Sequence, residues 1–313
     1  MGVTGKITVF GGFVVDLASR ADHLPVPGES VLGSSFTMGP GGKGSNQGVA
    51  AHLAGADVTM VTKVGNDLFG KVALDFYRQI QMSADFVFID EQKETGTAII
   101  MVDEQTAQNQ ILIVPGANGN ITDTDIEQIE PVIARSDVLL VQLEVNPDAN
   151  WKCIDIAHKN GVQVVLNPAP AQEIPDEILA KVDILTPNEV EAAALSGIKV
   201  LTPDDAKNAA KVFHSKGVDH IIITLGELGA FVKSGDKSAM IERRMVKAID
   251  TTGAGDAFNG GLVTALAEGR DLFEAAEFAN VVGALSVTKV GAARAMPTRA
   301  EIDAFNRDTQ QGL

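Results

Sequence analysis

Short apolar runs alternate with amphipathic stretches along most of this chain of 313 residues. Ile7–Phe10, Thr59–Val64, Val138–Gln142, Val162–Asn167, Ile184–Thr186 and Ile221–Thr224 are mostly β-branched, as strands covered on both faces are. Between them Asn146-Pro147 opens one helix and Thr202-Pro203 another, each a cap followed by proline in the first turn. Asn160-Gly161 and Lys216-Gly217 end them, where glycine adopts the left-handed conformation most cheaply. Repeated strand–helix–strand units predict an α/β fold, a mostly parallel central sheet with helices on both faces.

Two stretches break that rhythm. Val14–Met38, with its Pro25-Val26-Pro27-Gly28 turn, and Thr95–Val114 read as consecutive strands without an intervening helix. They predict a small sheet, inserted at about 14–40 and 95–114 of one unit spanning 1–313. Such a sheet cannot bury both faces alone, so it covers a ligand mouth or a second copy of itself. Arg307 to Leu313 read as a frayed tail.

Charge narrows the chemistry. Lys and Arg number 25 against 41 Asp and Glu, a formal net charge of −16. Without a basic face, sequence-independent binding to nucleic acid or to an anionic membrane is not expected. An anionic small ligand would need positive potential from backbone amides or a bound cation. The one cysteine, Cys153, allows no intrachain disulfide, and it reads as a mid-helix packing residue. No run approaches the ~20 apolar residues of a membrane span, and the N-terminus lacks a leader pattern, so a cytoplasmic protein is expected. The five histidines show no metal-ligand spacing.

The strongest candidate site is Asp250-Thr251-Thr252-Gly253-Ala254-Gly255-Asp256, followed by a helical pattern over Ala257–Glu268. A Gly-Ala-Gly turn there delivers unpaired amides at a helix N-terminus, an anion site by geometry and dipole. Asp256 is either a capping carboxylate or a base beside that cradle; the flanking glycines and Asp250 favour the base. A second candidate, Gly39-Pro40-Gly41-Gly42-Lys43-Gly44-Ser45-Asn46-Gln47, opens a helix ending near Gly55. It fits neither a Walker loop nor a dinucleotide fingerprint, because Thr37 stands at the first Walker glycine and Gly11-Gly12 is only a tight turn. What remains is a backbone open to close approach, with Asn46 able to donate and accept, which suits a polyhydroxylated ligand. Asn188 and Glu191 share one helix face at the carboxyl edge of the sheet. They can serve a hydrated Mg²⁺ or simply a solvated face. Glu144 ends a buried strand, where a carboxylate must be paired or ligand-facing.

Together Gly41-Gly42-Lys43-Gly44-Ser45-Asn46, with Gly55 and Gly65 after it, and Asp250 to Asp256 resemble the two signatures of the ribokinase-like sugar kinases. The two signatures stand roughly 200 residues apart, which makes the pair far more specific than either alone. Asp16, Asn188-x-x-Glu191, Thr224-Leu225-Gly226 and Gly291 agree with the same pattern.

The resemblance implies ATP-dependent phosphorylation of a sugar's primary hydroxyl, with D-ribose first in line. It makes Asp256 the base and the amides of Gly253, Ala254, Gly255 and Asp256 the anion hole. Asp16, Gly42, Lys43, Asn46 and Glu144 would hold the sugar. Asn188 would serve the phosphates, with Glu191 on Mg²⁺ through water. Thr224, Gly226, Gly255 and Asn280 would line the nucleotide site. A K⁺ ion would sit by Asp250, Thr252, Ser286, Lys289, Gly291 and Ala295, largely on main-chain carbonyls. A homodimer through the lid strands is expected as well. Two positions depart from the pattern. Val14 replaces a usual asparagine, which keeps 2-deoxyribose and other sugars or nucleosides open as acceptors, and Gly48 replaces a usual alanine at a helix cost of ~1 kcal/mol at most. A non-catalytic sugar-binding protein on the same fold is the reading from another class.

Overall fold

The computed structural model describes residues 5–106 and 108–310. Its strands, in chain order, are β1 (Lys6–Phe10), β2 (Val14–Ala21), β3 (Gly33–Gly41), β4 (Asp57–Gly65), β5 (Phe86–Asp90), β6 (Gly96–Asp103) and β7 (Asn109–Val114). β8 (Val138–Val141), β9 (Gln163–Leu166), β10 (Ile184–Leu185), β11 (His220–Thr224), β12 (Ala230–Ser234) and β13 (Lys237–Ile241) follow. The helices are α1 (Lys43–Leu53), α2 (Leu68–Gln79), α3 (Asp123–Ile133), α4 (Pro147–Lys159) and α5 (Asp176–Leu179). After them come α6 (Glu189–Ser196), α7 (Pro203–Ser215), α8 (Ala254–Ala267), α9 (Leu272–Ser286) and α10 (Arg299–Gln310).

The larger sheet runs β13-β12-β11-β10-β9-β8-β1-β4-β5. It is parallel from β11 to β5, and β12 and β13 add an antiparallel edge. Its strands feed two cores, one on each face. On β8, Val138 and Leu140 join the core beneath α1, α8 and α9, while Leu139 and Val141 join the one beneath α3, α4 and α7. That alternation is why the run has no polar position and why it forms no amphipathic pattern.

All six expected strands are present, with ends shifted by one or two residues. α4 and α7 also start and stop as read. Thr202 caps α7 in a reciprocal box with Asp205, and Gly161 and Gly217 close the two helices at φ 70° and 98°. The antiparallel edge and β5 go beyond that reading; β12 and β13 turn tightly at Gly235-Asp236. The expected frayed tail is corrected. Arg307 to Gln310 continue α10, which Ile302 anchors in the core and Arg299 ties to Asp303 and Glu268; 311–313 lie outside the described residues.

The small sheet, β3-β2-β6-β7, is separate, with β2 and β6 parallel and the outer pairs antiparallel. It stands off the carboxyl edge of the parallel strands, where β1, β8, β9, β10 and β11 all end.

Candidate active site

Two helix starts meet at that edge. α1 begins after Gly42, which has φ 89°; a Cβ there would lie 2.6 Å from the Gly12 carbonyl oxygen. A Cβ on Gly44 would lie 2.5 Å from the Gly11 carbonyl carbon, and Ser45 N donates to the Gly12 carbonyl at 3.0 Å. The glycine run and the Gly11-Gly12 turn are thus two halves of one close contact that seats α1. α8 begins after Gly253, a left-handed N-cap at φ 76° with no capping side chain.

Asp256, on the first turn of α8, does not cap it. Its carboxylate crosses to α1, where Oδ2 accepts from Asn46 Nδ2 at 2.9 Å and Oδ1 from Gln47 Nε2 at 3.0 Å. The capping alternative is therefore set aside. Burial pushes the Asp256 carboxyl up, against the pull of Lys43, Gln47 and Asn46. Of the four amides expected in the anion hole, that of Ala254 donates to the Thr251 carbonyl at 3.2 Å. Those of Gly253, Gly255 and Asp256 have no acceptor among the described residues.

Around this point lies a cavity of about 170 Å³ lined by Lys43, Asn188, Glu191, Thr224 and the Gly253–Asp256 turn. A larger cleft of about 580 Å³ opens between the small sheet and the loops at 248–252 and 290–294; Asp16, Asp250, Thr252 and Gly291 border it. The two share Thr251 in their walls. Burial, reinforced by Asp256, raises the Asp16 carboxyl to about 6. Burial also raises Glu144 to about 7, although its Oε2 accepts the Lys43 backbone N–H at 2.6 Å. Burial would lower the Lys43 ammonium, but Asp256, Glu144 and Glu191 outweigh it and hold it above its usual value. One cation thus faces several desolvated carboxylates, whose remaining lone pairs can accept from hydroxyl donors.

Glu191 is buried and Asn188 half-buried, so the solvated-face reading is set aside. They form a capping box, with Asn188 Oδ1 accepting from Val190 N and Glu191 N, and Glu191 Oε2 from Asn188 N. Asn188 Nδ2 and Glu191 Oε1 take no part in that box, and both residues line the small cavity. Asn188 also pairs with Thr224 across the sheet edge, and Gly226 follows at φ 53°. Asn280, on α9, donates to the Glu242 carbonyl and lines neither cavity.

At the expected cation site, Asp250 gathers two loops. Its Oδ1 accepts from Thr252 N and Oγ1 at 3.0 and 2.7 Å, and its Oδ2 from Gly291 N at 2.9 Å. Ser286 Oγ instead donates to the Gly283 carbonyl, Lys289 pairs with Glu301, and Ala295 is buried in a short turn. Val14 is buried, its Cγ1 packed toward Gly96, and it lines neither cavity.

The residues that sequence reasoning missed lie under Asp256. Gln47, Gln142, Asn167, Thr186 and Asn259 form a buried hydrogen-bonded network beneath the two helix starts. The available signal was polar side chains just past strand ends (Asn167 and Thr186) or inside a largely apolar helix (Asn259), where burial needs a partner.

Residues 4–299 match the pfkB family carbohydrate kinases. The ribokinase of Haemophilus influenzae is 43% identical over 295 residues, which is 94% of this chain and 96% of that protein. A deoxyribokinase of Salmonella typhi is 34% identical over 301 residues, 96% of this chain and 97% of that one. The structure of Arabidopsis thaliana ribokinase complexed with ribose and ATP superposes with a TM-score of 0.88 at 29% identity, over 96% of this chain and 98% of that one. The chain belongs to the pfkB family and has its ribokinase-like fold. It is a sugar kinase.

Proposed function

We propose that this enzyme moves the γ-phosphoryl group of ATP onto the primary 5-hydroxyl of D-ribose. The observation that carries the reading is the Asp256 carboxylate, desolvated and held by Asn46 and Gln47 beside the unpaired amides of Gly253, Gly255 and its own N–H. The names of the relatives, and the ribose and ATP of the plant ribokinase, support the choice of substrates.

Asp256 accepts the hydroxyl proton while the sugar oxygen bonds to the γ-phosphorus and the bond to ADP breaks. Burial raises the basicity of Asp256, which favours that transfer. Charge gathering on the phosphoryl oxygens falls before the α8 amides and the helix dipole. Asp16, Asn46 and Glu144 take the sugar hydroxyls, with Gly42 and Lys43 beside them. Asn188, Thr224, Gly226 and Asn280 belong to the nucleotide side.

Glu191 Oε1, outside the capping box, suits a Mg²⁺ ion held through water. Bound there, the ion would neutralise phosphate charge. Asp250, which joins the 252 and 291 loops, would help to hold a K⁺ ion with Thr252, Ser286, Lys289, Gly291 and Ala295, several of them through main-chain carbonyls. The small sheet is the lid of one kinase unit spanning 1–313, and it excludes water that would compete for the phosphoryl group. β7 is exposed along its whole length, including Ile111, Leu112, Ile113 and Val114. A second copy of the chain covers that face, giving a homodimer. One buried cysteine and the use of ATP are consistent with a cytoplasmic enzyme.

A second acceptor, 2-deoxyribose, is supported by the likeness to the Salmonella typhi deoxyribokinase. The test is ADP release with ribose, 2-deoxyribose, fructose and adenosine, each with and without K⁺. Ribose giving the highest kcat/KM, raised by K⁺, is the expected result. Preference for another acceptor would overturn the substrate assignment, and sugar binding without ADP release would overturn the mechanism.

A further inference from the structure

Every polar atom of the Gln47 side chain is committed. Nε2 donates to Asp256 Oδ1 at 3.0 Å and to Asn167 Oδ1 at 2.9 Å, and Oε1 accepts from Gln142 Nε2 at 2.7 Å. Gln47 and Gln142 are wholly buried. Beyond them, Asn150 Nδ2 donates to the Gln142 carbonyl and Asn167 Nδ2 to that of Thr186, each at 2.7 Å.

The direction of this chain follows from its end. A carboxylate only accepts, so Gln47 must turn its NH₂ toward Asp256 and its oxygen toward Gln142. Gln142 must then present its own NH₂. Its Oε1 is left buried with no partner, facing Gly11, where a Cβ would sit 2.0 Å away. An orphaned acceptor is unfavourable, and the molecule keeps it where the alternative is an amide oxygen against the carboxylate. Gln47 has no polar side-chain atom left over for a substrate, because each already has a protein partner.

We propose that Gln47 is a positioning residue for the reaction: anchored by Gln142 and Asn167, it holds Asp256 Oδ1 so that Oδ2, shared with Asn46, takes the hydroxyl proton. This rests on the reading of Asp256 as the base. In the step, the sugar O–H bond breaks to Oδ2, the O–P bond forms, and ADP leaves with the electron pair of the broken P–O bond. The charged groups facing Asp256 are Lys43 on α1, Asp16 on β2, Glu144 after β8 and Glu191 on α6. Lys43 is the single cation among them, so Gln47 and Asn46 supply the remaining stabilisation of the ionised form.

The experiment measures kcat and KM against pH for Gln47→Met, which keeps the shape and loses the donor, alone and in an Asp256→Asn background. In the otherwise native enzyme kcat should fall roughly 10²-fold, with the acid limb of its pH profile moved upward and both KM values within about threefold. In the Asp256→Asn background Gln47→Met should cause no further loss. Gln47→Glu, which keeps the bond from Gln142 but sets a second carboxylate against Asp256, should move the acid limb further up, and it decides the matter should Gln47→Met not fold. An unmoved pH profile, or an equal loss in the Asp256→Asn background, would overturn the proposal. Native turnover in Asp256→Asn alone would instead overturn the base on which it rests.

Discussion

Gly260 sets the distance between the two helices that build the site. It faces α1 from α8, and a Cβ added there would lie 2.5 Å from Ala50 Cβ, 2.6 Å from the Gln47 carbonyl oxygen and 2.8 Å from Ala51 N. Two of those contacts are backbone, so no side chain can swing aside. Gly260→Ala must either strain a fixed pair of helices or part them by about 1 Å, the gap between these contacts and ordinary carbon–carbon packing. Strain costs about 1–3 kcal/mol, against a helix-propensity gain of about 1 kcal/mol from replacing glycine. Parting stretches the 2.9 and 3.0 Å bonds from Asn46 and Gln47 to Asp256 beyond hydrogen-bond reach. Each such bond to a charged group is worth about 1.5–3 kcal/mol. Neither route is free, so the clash should be met partly by strain and partly by a smaller displacement that lengthens those bonds. The expected result is a loss of roughly 1–3 kcal/mol in urea unfolding, together with a fall of at least about tenfold in kcat in the folded variant. Gly261→Ala is the control. Its Cβ meets Val282 Cγ2 at 2.7 Å on α9 instead, so it should cost similar stability with a much smaller effect on kcat. Native kcat in folded Gly260→Ala, or equal kcat losses in the two variants, would refute the role of this helix spacing.

Glu144→Gln should stabilise the unliganded enzyme at alkaline pH. Burial raises the folded carboxyl from 4.5 to about 7, so its ionised form costs stability above that value and the cost shrinks as pH falls toward 4.5. Thermal melts should show the variant gaining most near pH 8 and little near pH 5, with weaker sugar binding; equal gains at both pH values would contradict this. Lys63→Met should cost about 3–5 kcal/mol in urea unfolding, because it strands Asp125, 2.7 Å from the ammonium, and Asp90 beside it, both buried. Leu112→Asp, on the exposed face of β7, should shift light scattering from dimer to monomer; a native variant already monomeric at micromolar concentration would contradict the dimer.

What the sequence showed was what local chemistry dictates. Strands such as Val138–Val141 and caps such as Thr202 are set by their own residues; the first glycine signature marks places where a side chain cannot fit, and Gly253 of the second a turn that needs φ 76°. The parallel pairing of β2 with β6 at the centre of the small sheet, and the crossing of Asp256 to α1, depend on contacts distant in sequence. Gln47 shows the difference most clearly. It reads as one more polar residue after Asn46 until folding buries it against Asn167 and Asp256, each more than a hundred residues away. Asn280 and Ser286 mark the converse. Expected at the nucleotide and cation sites, they turn their side chains to the Glu242 and Gly283 carbonyls.

The central claim is tested most directly by steady-state turnover of Asp256→Asn with ribose and Mg·ATP, alongside calorimetric ribose binding. Removing a general base should lower kcat by about 10²–10⁴-fold while ribose affinity stays near native. Turnover within a few fold of native, in a variant that still binds ribose, would contradict it.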